Sequence, residues 1–361
     1  MADYKACAIG RTGRGNFGHG LHTCYADVDR VDLVAVSDDD EGGREKARVD
    51  AGADRSYSDY REMLEKENPD IVSVCPRWVD CHEEMVVACL EAGAHVYCEK
   101  PIAADLASAD RICEVVEQTG LKVAVAHQAA YLPQIHRVKE MVDDGRIGDV
   151  LSIYSAGKSD HRGGGEDMMV LGTHLFNLLR YFVGDVAWMT ARVTQDGRDI
   201  AAGDVHEANE PIGPIAGNRI HSFFAFESGV TATFESRGRK IKDGRPYGLE
   251  LIGADGRIAF NASANEATIL EDDALAPWTA GQNRVSLNLD PVPLMEGNRL
   301  AICNLIDSIE TDSQPGSSAS DARAALEMIL GAYASQVSGG GRVSFPLEDR
   351  VHPLERLRGQ G

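Results

Sequence analysis

The chain has 361 residues, is 43% hydrophobic and carries a formal net charge of −21. That is enough apolar material for two domains with cores of their own. An acidic balance this strong argues against nucleic-acid or anionic-membrane partners, which reward clustered Lys and Arg. The opening stretch MADYKACAIG has no apolar signal core behind a basic segment, and no run approaches the roughly 20 apolar residues of a membrane span. The eight cysteines are scattered, with no CxxC and no Cys/His cluster. They read as small hydrophobes in a reducing cytoplasm, and no metal site is expected.

YKACAIG (4–10) and VDLVAVSDDD (31–40) are short apolar strands, the second ending in acid. A helical stretch follows at 58–70, with Ser58 as its cap. DIVSVCP (70–76) is a third strand and DCHEEMVVACLEAGA (80–94) a helix. AHVYCEKP (94–101) is a fourth strand, and LASADRICEVVEQTG leads to a fifth, LKVAVAHQ (121–128). Near-continuous apolar strands alternating with amphipathic helices imply an α/β fold with a parallel sheet covered on both faces. Ligands gather at the carboxyl ends of such strands. This first domain is expected to span 1–125.

RTGRGNFGHG (11–20) contains Gly13-x-Gly15-x-x-Gly18 directly after the first strand. Positions without side chains let backbone N–H groups approach a pyrophosphate at a helix start. Asp38 ends the second strand about 20 residues later, where a carboxylate accepts ribose hydroxyls and repels a 2′-phosphate. No basic residue follows it directly, so NAD is favoured over NADP, and Asp39 and Asp40 read as solvated loop charges. Gly10 lengthens the turn and leaves open which glycine begins it.

The second half, 126–361, changes rhythm. In RIHSFFAFESGVTATFES (219–236), Ile220, Phe224 and Phe226, then Val230, Ala232 and Phe234, share one face. YGLELIGADGRIAF (247–260) is a further hairpin around GADG, and two closing helices precede a last short strand in SGGGRVSFPL. The glycine turn, CEKP (98–101), DDGRIGDV (143–150) and GTHLFNLLRY (172–181) together resemble the glucose–fructose oxidoreductase / inositol dehydrogenase / MocA family over essentially the whole chain. The resemblance implies an N-terminal Rossmann domain and a C-terminal α/β domain with a large open, mostly antiparallel sheet. It also implies nicotinamide-dependent redox chemistry on a sugar, inositol or related polyol, in homodimers or homotetramers packed through the open sheet.

Oxidising a carbinol needs a base for the hydroxyl proton and a donor for the developing oxyanion. His174 suits the base, since imidazole titrates near working pH. Lys100 suits the donor, and its charge would lower the pKa of a neighbouring histidine. Asn177 lies at i+3 from His174 on the same helix face. Glu99 pairs with a cation or seats the nicotinamide ribose. The cofactor contacts expected are Gly13, Gly15, Asn16, Phe17, Gly18, Asp38, Pro76, Glu99 and Lys100. Positions matching the family add Gln128 and Tyr131 as substrate contacts, whereas His82 and His127 read equally well as structural. The family pattern commonly has Asp four residues before the histidine, where this chain has Val170. Asp167 or His161 is expected to take over substrate anchoring. Two other readings stay open: retained NAD used for transient oxidation in elimination, hydrolysis or epimerisation, and a non-catalytic sensor.

Overall fold

The computed structural model describes residues 3–208, 210–238, 247–271 and 284–359. The chain divides into two compact units, neither of them one continuous stretch. The first combines Met1–Tyr131, Glu207–Gly213 and Met295–Leu326; the second combines Leu132–His206, Pro214–Leu294 and Glu327–Gly361.

In the first unit, β1 (Tyr4–Ile9), β2 (Val31–Ser37), β3 (Arg55–Tyr57), β4 (Ile71–Val74), β5 (His95–Cys98) and β6 (Val123–Val125) form a parallel sheet in the order β3-β2-β1-β4-β5-β6. The order reverses between β1 and β4, the switch point at which open α/β sheets bind ligands. Helices α1 (Glu41–Ala51), α2 (Tyr60–Glu67), α3 (His82–Glu91) and α4 (Leu106–Thr119) complete the crossovers. Sequence reading passes over α1 and β3. The segment EGGREKARVDA has two glycines and buries only Ala47, so its apolar period is faint. Its ends carry it instead: the Asp40 side chain accepts from Gly43 N, and Gly52 closes it in the left-handed conformation. The cap of α2 is Asp59, whose carboxylate accepts from Arg61 N at 2.9 Å, and not Ser58.

No α-helix begins at the glycine turn. Gly13, Gly15, Asn16, Gly18 and Gly20 have φ of 78°, 90°, 52°, 59° and 79°. So many left-handed residues cannot propagate a right-handed helix. The chain runs instead through tandem turns, such as Gly18 N to Gly15 O at 3.1 Å and Gly20 N to Phe17 O at 3.2 Å. Phe17, Leu21, Cys24, Tyr25 and Val28 still bury in the core of this unit. The helix Glu296–Thr311 adds Ala301, Ile302, Leu305 and Ile306 to the same core. A helix expected in the second domain therefore covers the first unit's sheet, which has both faces to bury.

The second unit holds a ten-stranded mixed sheet. β7 (Val150–Ala156) pairs in parallel with Thr231–Arg237, while the other pairings are antiparallel, among them β8 (Val186–Gln195) with Arg219–Phe226. The expected hairpins form, Arg219–Phe226 with Thr231–Arg237 and Gly248–Gly253 with Gly256–Asn261. Ile220, Phe224, Phe226, Val230, Ala232 and Phe234 are all buried, as their alternation requires. Phe176, on the helical run 165–183, packs edge-on against Phe224 and Phe234, with ring centroids 5.5 and 4.9 Å away. Arg192, His221 and Thr233 stand exposed on the opposite face.

Candidate active site

The glycine turn is shaped by close approach. A Cβ on Gly15 would lie 2.3 Å from Arg77 N, and one on Gly18 2.3 Å from Cys75 O and 2.8 Å from the Glu99 side chain. Both glycines let the turn press against the carboxyl ends of β4 and β5. Gly13 differs, because a Cβ there meets nothing within 4 Å. It faces the open space a diphosphate requires, and the turn fits a dinucleotide at that point. The Asn16 side chain accepts from Gly13 N at 2.9 Å, so it braces the turn. The Phe17 ring lies over Gly10 and is buried, leaving only its backbone for a ligand.

Asp38 departs from expectation. It is 2% exposed, and both carboxylate oxygens are engaged. Oδ1 accepts from Thr12 N at 3.1 Å and Asp40 N at 3.0 Å; Oδ2 accepts from Thr12 N at 2.9 Å and Thr12 Oγ1 at 2.8 Å. Burial raises its pKa in spite of these donors. Asp38 thus latches the glycine turn to β2, with three donors on its two buried oxygens. Asp39 and Asp40 are both exposed at that strand end, and Asp40 is already the cap of α1.

At the end of β5 the charges are interior. Glu99 is 0% exposed, and Lys100 is 6% exposed. The Glu99 carboxylate accepts from His19 N at 3.0 Å, from His19 Nδ1, and from its own neighbour Lys100 N at 2.8 Å. Burial alone would raise the Glu99 pKa, but the hydrogen bond and charge of His19, with Lys100, hold it below the usual range. His19 and the Lys100 backbone N–H are thus the groups that hold the Glu99 carboxylate. The fully buried His82 joins two loops, with Nε2 2.7 Å from Pro76 O and Nδ1 2.9 Å from Pro101 O. Its ring reaches backbone carbonyls. Pro76 is likewise buried.

Of the residues after β6, Tyr131 does not face a substrate. Its hydroxyl donates to Val125 O and Ser317 O, both at 3.2 Å, inside the core. Gln128 is buried at 3% exposure, closely packed against Gly297. His127 is buried with Nδ1 2.9 Å from Ser317 Oγ. Burial first, then the charge of Lys100, pulls its pKa down to about 3. The depressing effect expected of Lys100 on a histidine is thus exerted on His127.

In the second unit His174 and Asn177 sit one turn apart on the helix Thr173–Val183, 9% and 4% exposed. No glycine turn precedes His174. The helix is continuous from Gly165, and Met168–Gly172 is a π segment. Gly172 is helical; a Cβ there would lie 3.3 Å from Phe234, so it serves packing. A π turn takes one residue more than an α turn, which rotates Asp167 about 100° from the face that seven-residue spacing implies. Val170 falls inside that π segment.

Asp167 is 0% exposed and accepts from Ser159 N at 3.1 Å and from Ser236 Oγ. Its Oδ1 has no partner among the described residues, and burial raises its pKa. It ties the Gly-rich loop to the sheet and is not open to a substrate. The His161 side chain is 80% exposed beside Asp160. Two residues that sequence reading missed, His19 and Thr12, hold the glycine turn to Glu99 and Asp38. Neither lies at a motif position that would single it out. Among the described residues no group of His, Cys, Asp or Glu is arranged to hold a metal.

Residues 8–127 match the model of an oxidoreductase family with an NAD-binding Rossmann fold, and residues 135–259 match the GFO/IDH/MocA C-terminal domain. The chain belongs to the GFO/IDH/MocA oxidoreductase family. It is 28% identical to myo-inositol 2-dehydrogenase of Thermotoga maritima over 73% of this chain and 78% of that one. It is 24% identical to levoglucosan dehydrogenase of Pseudarthrobacter phenanthrenivorans over 58% of this chain and 60% of the relative. A solved levoglucosan dehydrogenase in complex with NADH and levoglucosan shares the fold, with a TM-score of 0.76 at 17% identity over 95% of this chain and 99% of the other. This member is an NAD-binding oxidoreductase with a Rossmann-type parallel sheet and a second, mostly antiparallel one.

Proposed function

We propose that the protein oxidises a sugar, inositol or related polyol at a carbinol carbon, with Lys100 and His174 as catalytic residues. The observation carrying this is the buried ammonium of Lys100 at the carboxyl end of β5, 6% exposed in the unit that also holds the glycine turn. Burial keeps bulk water from this ammonium, so a hydrogen bond it gives a substrate oxygen counts for more than it would in water. The relatives named above act on inositol and levoglucosan, which agrees in substrate class.

The first unit would hold NAD. Backbone N–H groups around Gly13, Gly15 and Gly18 would take the diphosphate, Asp39 the adenosine ribose, and Pro76 and Lys100 the nicotinamide end. When bound, NAD accepts the hydride. Lys100 would donate a hydrogen bond to the substrate oxygen, and His174 Nε2 or Nδ1 would take its proton. Asn177, on the same helix face as His174, would orient a neighbouring hydroxyl.

Incubation with NAD and a panel of inositols and sugars tests the reading. NADH should accumulate, and His174→Gln should lower kcat by roughly 10²–10⁴ with NAD affinity retained. Lys100→Met should lower kcat similarly. Wild-type rates in both variants would end the assignment.

We also place the enzyme in a reducing compartment, supported by eight cysteines that are all free. We further propose a homodimer or homotetramer through the open sheet face. No helix among the described residues is long and apolar enough to cross a membrane.

A further inference from the structure

A dinucleotide's diphosphate ordinarily rests on the N-terminus of the helix after the glycine turn, where N–H groups and the helix dipole offset its charge. Here tandem turns replace that helix, so the dipole is missing. His19 stands in the turn immediately after Gly18. Its Nδ1 and its backbone N both bond Glu99 Oε1, the latter at 3.0 Å, and Glu99 is 0% exposed. Its carbonyl oxygen accepts from Asn298 Nδ2 at 3.1 Å, and Asn298 Oδ1 in turn accepts from the buried Tyr97 hydroxyl at 2.8 Å. The residue is therefore held by interior groups at both its backbone and its ring.

The outer half of the ring is different. The side chain is 35% exposed, and Nε2 has no partner among the described residues. With Nδ1 turned to the buried Glu99 carboxylate, Nε2 is the ring atom left to meet a ligand. Of the two arginines in the turn, Arg11 and Arg14, the latter is engaged by Asp80 and lies over the Trp78 ring at 5.2 Å.

We propose that His19, oriented by Glu99, donates its Nε2–H to the diphosphate of the bound dinucleotide, in place of the absent helix N-terminus. The inference rests on the NAD reading and adds a side-chain contact to a subsite otherwise made of backbone.

The test is calorimetric titration with ADP and AMP, which differ by one phosphate, against wild type, His19→Gln and Glu99→Gln. His19→Gln should weaken ADP about 10-fold and leave AMP within about 2-fold, since a charge-assisted bond to phosphate is lost. Glu99→Gln should shift ADP in the same direction. ADP binding unchanged by His19→Gln, or AMP weakened as much as ADP, overturns the proposal. Should the variants not fold, the imidazole ¹⁵N resonances of His19 in wild type decide: they should move with ADP and not with AMP, and no movement with ADP is fatal. A wild type that binds neither ADP nor NAD would sink the NAD reading along with this one, whereas ADP binding indifferent to His19 sinks only this one.

Discussion

His127, at a position matching the family, shows how a polar residue records the interior it sits in. Its imidazole is 1% exposed, hydrogen-bonded to Ser317 Oγ, and close enough to Lys100 to feel its charge. With a folded-state pKa of about 3, it stays neutral while the unfolded chain takes up a proton near pH 6.5. Stability should therefore fall as pH drops from about 6.5 toward 3, by up to roughly 1.4 kcal/mol per pH unit from this group. His127→Asn should remove that part of the slope. Urea unfolding at a series of pH values checks it; parallel pH profiles for variant and wild type would refute the assignment. Asp38 and Tyr131 make the same point by hydrogen bonding. Each has the chemistry of a ligand contact, and each has its polar atoms engaged within the first unit.

At the scale of the element, the glycine turn contains two kinds of glycine. Gly18 combines φ of 59° with a Cβ site 2.3 Å from the Cys75 carbonyl, a backbone atom that cannot step aside. Gly13 has φ of 78° and open space. Gly18→Ala should thus destabilise the fold by several kcal/mol, through steric overlap added to left-handed strain. Gly13→Ala should cost only about 1 kcal/mol, yet weaken NAD, because its methyl points into the space left for a ligand. Thermal unfolding and NAD titration of the two variants separate the effects; equal losses of stability would contradict the distinction. The π segment is the other informative element. It continues the helix through Gly172, carries Val170, and turns Asp167 away from the face of His174.

Across the whole molecule, the second unit's sheet has one apolar face and one on which, among the described residues, Trp188 and Phe223 lie 5.5 Å apart beside exposed Arg192 and His221. Self-association through this face predicts that Phe223→Asp shifts the sedimentation coefficient toward a monomer without unfolding the chain. An unchanged coefficient would place the interface elsewhere. The sequence alone determined the parallel sheet, the antiparallel hairpins and the family, because these depend on apolar periodicity and on local motifs such as CEKP. It also singled out Lys100 and His174 by residue type. Only the tertiary structure decided which polar atoms are already engaged. It showed Asp38 taken by Thr12, Glu99 by His19, and Tyr131 by two carbonyls, and it showed a helix near residue 300 closing the first unit's core. Those outcomes depend on contacts between residues far apart in the chain. They also depend on left-handed backbone in the glycine turn and one extra residue in a helical turn, neither of which changes the hydrophobic pattern a sequence displays.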